Sequence, residues 1–163
     1  MPIKLYNKGN KYGYKDIDSG RTVIPPIYEN GKIHPIIIGG RNYFVVKNQG
    51  KWGLVDEDNK IVIDFEFDDI GRPRLACGSP EFVMCFKNQG EGYFKMGIIS
   101  SKLQVTVPPV LDNFPQNITV KGENTSLYYI HKNEKWGVVS KDGTVLVEPA
   151  YTKEEVDGQF ARK

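Results

Sequence analysis

One short pattern of hydrophobic and polar positions comes back four times along this chain. In residues 135–151, KWGVVSKDGTVLVEPAY, the run Trp136, Gly137, Val138, Val139 leads into the polar Ser140, Lys141, Asp142 and Gly143. A β-branched run, Thr144 to Val147, follows and meets Glu148 and Pro149. Short β-favouring runs joined by a polar link that ends in glycine predict two antiparallel strands and a tight turn. Gly143 supplies the positive φ such a turn needs. Pro149 has no N–H for a ladder and is expected to end the second strand. A further apolar run at 127–131, linked by Lys132, Asn133 and Glu134, makes three strands per unit.

The frame fits again as KWGLVDEDNKIVIDFEF from Lys51, KYGYKDIDSGRTVIPPIY from Lys11 and KMGIISSKLQVTVPPVL from Lys95. Asn59 and Gly20 fill the turn place of Gly143, and both tolerate positive φ. Leu103 fills it in the third copy, where positive φ costs about 1–2 kcal/mol, so a turn of another shape is expected there. Gly13, Gly53, Gly97 and Gly137 are spaced 40, 44 and 40 residues apart. A period of that size predicts a repeat protein whose units cannot bury their apolar faces alone. The aromatic-type residue before each glycine (Tyr12, Trp52, Met96, Trp136) and the large residue beyond it (Tyr28, Phe67, Leu111, Tyr151) are the expected anchors. Each glycine is expected to leave room for such a side chain.

The prediction is therefore all-β: one domain over 1–163, built of four three-stranded antiparallel units. They span about 3–28, 43–67, 82–111 and 127–151, with longer connectors between them. The run 3–6 has no unit before it. Closing it against the module of Trp136 would give a barrel- or propeller-like ring; the alternative is an open curved stack with free edges. Residues 154–160 are compatible with a turn of helix.

Composition narrows the function. The 163 residues carry 22 basic and 20 acidic side chains, well mixed, without the basic footprint of a nucleic-acid binder. The start MPIKLY lacks a signal-peptide pattern, and the longest apolar run, 82–86, is too short to span a membrane. A cytoplasmic protein is expected, a removed leader aside. Cys77 and Cys85 fit either a cross-strand disulfide or two buried thiols.

No catalytic, metal or cofactor set stands out. His34 and His131 have no cysteine at zinc-like spacing. Asp56 to Asn59 lacks the glycine and distant glutamate of a calcium loop and matches a hairpin turn instead. Serines lack a partner base. Trp52 and Trp136 read as core anchors, with sugar-stacking platforms as the alternative. If the units are scaffold, function sits where they differ. Glu91, Gly92, Tyr93 and Phe94 lengthen the third unit, making Tyr93 and Phe94 candidate partner contacts; Arg72 and Arg74 are a second pair, suited to an acidic partner.

Lys51-Trp52-Gly53 and Lys135-Trp136-Gly137, followed by a hairpin turn and by Ile24-Pro25-Pro26-Ile27-Tyr28 or Val147-Glu148-Pro149-Ala150-Tyr151, resemble the WG-repeat (KWG-repeat) family of bacterial proteins. The first copy departs with Tyr12 and the third with Met96. The resemblance implies a β-rich repeat module, with no catalytic activity and no functional residues to carry over. The resulting expectation is a non-enzymatic module that binds another protein, such as an inhibitor or immunity-type partner. A glycan- or small-ligand-binding domain is the alternative.

Overall fold

The computed structural model describes residues 2–72, 80–90 and 92–160. In chain order they form β1 (Ile3–Lys8), β2 (Lys11–Asp16), β3 (Thr22–Tyr28), β4 (Asn30–Gly31), β5 (Ile36–Ile38), β6 (Arg41–Asn48), β7 (Lys51–Val55) and β8 (Ile61–Phe67). Then come β9 (Asp69–Gly71), β10 (Val83–Asn88), β11 (Phe94–Ile99), β12 (Val105–Leu111), β13 (Gln116–Val120), β14 (Glu123–Lys132), β15 (Lys135–Ser140), β16 (Val145–Tyr151) and α1 (Lys153–Phe160). The protein is nearly all-β, in four antiparallel sheets. The chain forms two compact units, Met1–Ile70 and Gly71–Lys163, each carrying two of the repeats.

In the first unit β1-β2-β3 make module 1, and β6-β7-β8 make module 2 with β4 and β5 paired to β6. In the second, β10-β11-β12 make module 3, and β14-β15-β16 make module 4 with β13 beside β14. The run at 3–6 does not join the sheet of Trp136. It extends into β1 and pairs along its length with β2, because Ile3 and Leu5 find apolar partners within their own unit.

All four modules share one register. Tyr12, Trp52, Met96 and Trp136 face Tyr28, Phe67, Leu111 and Tyr151. Two residues on, Tyr14, Leu54, Ile98 and Val138 face Ile24, Ile63, Val107 and Val147. The third strand thus carries two more residues than its partner over this step, a wide bulge opposite the glycine. That bulge is why the glycine is needed, and it corrects the expectation of room for an anchor side chain: backbone of the third strand fills the space, joined at Gly53 by the Phe65 ring. A Cβ on Gly97 would sit 2.5 Å from Val107 O and 2.8 Å from Pro108 C. On Gly137 it would sit 2.7 Å from Pro149 N, with Val147 O nearer still. The prolines therefore lie inside β3, β12 and β16 rather than ending them, because a bulge has no ladder bond for them to break.

The turns between second and third strands also agree more closely than their residues suggest. Asn59 N donates to Asp56 O at 3.0 Å, Leu103 N to Ser100 O at 2.9 Å and Gly143 N to Ser140 O at 3.0 Å. Asn59, Leu103 and Gly143 all have positive φ, at 61°, 62° and 92°. Leu103 thus adopts the common turn, against the expectation of a different one. The flanking strand pairing outweighs its local cost.

Stacking follows from strand alternation. In module 1, Leu5, Tyr14 and Ile24 share one face and pack against Phe44, Val46 and Val55 of module 2. In module 3, Met84, Ile98, Val107 and Leu111 pack against Tyr128, Ile130 and Val139 of module 4. The other face of module 1 carries Lys4, Tyr6 and Lys15, with Lys15 Nζ 5.0 Å from the Tyr6 ring centre. The other face of module 4 is covered by α1, whose Val156 is buried with Ile118 and Val138. A polar or covered face is what a module requires where no neighbour in its own unit packs on it.

Candidate partner-binding surface

The repeat anchors divide into two layers. Tyr28, Phe67 and Leu111 are buried, whereas Tyr151 is 41% exposed. Tyr12, Trp52, Met96 and Trp136 are only half-buried, so the centre of each interface is made by their neighbours Tyr14, Phe44, Phe82 and Tyr128. Trp52 has Lys32 Nζ over its ring at 5.1 Å. Trp136 meets Tyr129 edge to face and His131 at 4.6 Å between ring centres. At the matching place Met96 faces Phe86, whose ring centre lies 6.0 Å from that of Phe114.

A residue class that the sequence reading passed over ties modules together: the position after the anchor. Glu29 N and Asp112 N donate to Lys47 O and His131 O on the next module, at 2.9 and 3.0 Å. The Glu29 carboxylate accepts from Gln49 N and Gly50 N, and that of Asp112 from Asn133 N at 2.8 Å. Lys51 Nζ reaches Asp68 at 2.6 Å, and Lys95 Nζ pairs with Asp112. The Lys95 ammonium and the Asn133 N–H hold the Asp112 carboxyl below its usual range. At the fourth such place stands Thr152. Its Oγ1 accepts from Glu155 N at 3.2 Å while Glu155 Oε1 accepts from Thr152 N at 3.1 Å, a reciprocal cap that starts α1. The signal was in the sequence, as an acid directly after Tyr28, Phe67 and Leu111 but a threonine after Tyr151.

Among the described residues, backbone hydrogen bonds flank the departure in module 3. Gln89 N donates to Tyr93 O at 2.6 Å, Tyr93 N to Gly90 O at 2.9 Å and Gly90 N to Asn88 Oδ1 at 2.7 Å. Gly90 and Gly92 take φ of 100° and 75°, which side-chain-bearing residues adopt at a cost. Tyr93 is 61% and Phe94 41% exposed. Phe94 and Met96 lie on one face of β11, and Phe86 stands across from Met96. The exposed ring thus continues into the half-buried Phe86–Phe114 pair. Lys95 Nζ lies 5.9 Å from the Tyr93 ring centre.

Arg72 lies apart from this turn in sequence and donates from Nη1 to Glu81 O at 3.1 Å and Phe82 O at 3.5 Å. Burial lowers its pKa, and the nearby Glu81 opposes that shift. Arg74 and Cys77 lie outside the described residues. Cys85 is a buried free thiol whose pKa burial pushes up to about 12. Among the described residues no three His, Cys, Asp or Glu side chains gather as a metal site would require. His34 is exposed, and His131 is committed to the Trp136 ring. Among the described residues no helix is long and apolar enough to cross a membrane.

The sequence profile of a family described as WG containing repeat matches residues 12–52 and 52–74. No curated protein and no solved structure gives a significant match. Residues 12–74 thus match the WG-repeat family, and the structure carries the same three-strand unit on through Tyr151.

Proposed function

We propose that this chain is a non-enzymatic interaction module of the cytoplasm that binds another protein through the Tyr93 turn of module 3. The observation that supports this reading is the pair Tyr93 and Phe94, both exposed, with the Tyr93 backbone hydrogen-bonded to Gln89 and Gly90. Large aromatics held rigidly at a surface lose little side-chain freedom on binding and dominate many protein interfaces. An inhibitor or immunity-type role, in which the stack presents this turn to a target protein, fits a scaffold whose repeats differ most at that place. The double variant Tyr93→Ser/Phe94→Ser tests the reading. It should fold like the parent, because neither side chain belongs to the buried core. A protein captured from the source cells by the parent should be lost with the variant. Equal capture by both would refute the assignment, and retention on immobilised glycans in place of a protein would replace it.

A further inference from the structure

A contact between a lysine and two aromatic rings lies on module 4, where α1 meets the sheet. Tyr129 and Trp136 stand edge to face, ring centres 5.6 Å apart at 83°. Lys153, in the first turn of α1, brings its Nζ to 5.3 Å from the Tyr129 centre and 6.0 Å from that of Trp136. The Tyr129 hydroxyl donates to Asp157, which sets a carboxylate at the rim. The face of an aromatic ring is electron-rich and attracts an ammonium within about 6 Å of its centre. The pair is therefore a cation-receiving site, and the chain's own lysine is in it.

Module 2 supplies an independent instance. Trp52 holds the same register place as Trp136, and Lys32 Nζ sits 5.1 Å from its ring. There the cation is fastened, since Lys32 also pairs with Asp69 at 2.8 Å. Lys153 is exposed and forms no ion pair among the described residues. Ring faces alone hold an exposed ammonium only a few-fold over water. The occupant of module 4 thus lacks the second partner that helps hold that of module 2, and exchanges the more readily of the two.

We propose that Tyr129 and Trp136 form a binding site for the ammonium group of a lysine side chain on a partner protein, filled in the unbound chain by Lys153. A partner lysine enters as Lys153 swings into water, so no net charge is buried. Only the source of the lysine rests on the protein-partner reading, and the test below uses small molecules, so the two can fail separately.

The chain has two tryptophans, so Trp52→Phe leaves Trp136 as the sole reporter. Its fluorescence is followed during titration with tetramethylammonium chloride, against sodium chloride at equal ionic strength. With Lys153→Ala added, a saturable change should appear at about three- to five-fold lower concentration than with Lys153 present. Lys153→Gln serves if the alanine variant does not fold. No saturable change in a variant that is folded by circular dichroism would overturn the site. Equal midpoints with and without Lys153 would overturn the exchange. N-acetyl-lysine amide should compete; failure to do so while tetramethylammonium binds would overturn lysine as the ligand.

Discussion

In the first unit the turn of module 2 reaches module 1 through Asn59, whose Oδ1 accepts the Tyr28 hydroxyl. In the second unit the matching turn of module 4 lies against module 3 by its backbone. Ser101 N donates to Asp142 O, Glu81 N to Lys141 O and Thr106 Oγ1 to Gly143 O, at 2.8, 2.8 and 2.6 Å. Tyrosine and asparagine in one pair are replaced by carbonyls and bare glycine in the other. Module 3 has also lost the tryptophan and the turn glycine, yet keeps the register, the bulge and the acid after the anchor. The difference teaches that a module is defined by its glycine against a bulged third strand. The tryptophan that marks the repeat in sequence is a half-buried accessory.

The sharpest way to break this comparison is to fill the glycine. Gly137→Ala drives a methyl group into the backbone of Val147 to Pro149, which cannot move without dissolving the bulge. We expect a loss above about 3 kcal/mol in urea unfolding, enough to unfold the second unit. Gly53→Ala should cost less. Its nearest atom, Ile63 O, is at 2.7 Å, and one of the other two is the Phe65 side chain, which can rotate away. Equal costs at the two positions would show that strand propensity, and not the bulge, selects glycine.

Next in size is the contrast between layers. Phe44 is fully buried and packs on Tyr14 at 4.5 Å between ring centres. Phe44→Ala should cost about 3–5 kcal/mol. Trp52→Phe keeps most of a half-buried contact and should cost less than about 1 kcal/mol. Should Trp52→Phe prove the more damaging, tryptophan would return to the centre of the module.

The sequence made the period, the three strands per unit and the glycine places legible, because strand alternation and turn chemistry are local. It did not disclose the bulge. Pro25, Pro26, Pro108 and Pro149 each remove a donor, and nothing local says whether a strand ends there or bends past. The acid after three of the anchors was visible as a pattern, but the use of Glu29 and Asp112 is a contact between modules about twenty residues apart in sequence. The exposed Tyr93 and Phe94 were legible as an insertion. The Lys153 contact was not, because it needs the helix seated on the sheet.

Smaller still is the effect of the turn residue. Leu103 and Gly143 share a turn, so only the leucine carries left-handed strain of about 1–2 kcal/mol. Leu103→Gly releases it against the loss of a half-buried side chain and the added freedom of the unfolded chain. The net change should lie within about 1 kcal/mol of zero. Gly143→Ala should be clearly destabilising, since its Cβ would also meet Phe82 Cβ and Ser100 Cα at 2.9 Å. A Leu103→Gly variant that is as damaged as Gly143→Ala would show that the two turns are not equivalent.

The mildest test addresses the clasp between modules 3 and 4 through acid. The Lys95 ammonium first, and the Asn133 N–H second, lower the Asp112 pKa in the folded chain. A carboxyl lowered in the folded state binds protons less readily there than when unfolded. Its contribution is therefore complete above the unfolded value near 4 and fades as pH falls through the folded one. Asp112→Asn keeps a carbonyl oxygen for the Asn133 N–H but has no charge to lose. Thermal melts from pH 6 down to about 2.5 should show the parent ahead of the variant at the upper end, with the two curves converging on the acid side. The gap should also narrow in 1 M salt, because the Lys95 partner is reached by solvent. Curves that stay parallel across the whole range would show that the oxygen's position, and not its charge, joins one module to the next.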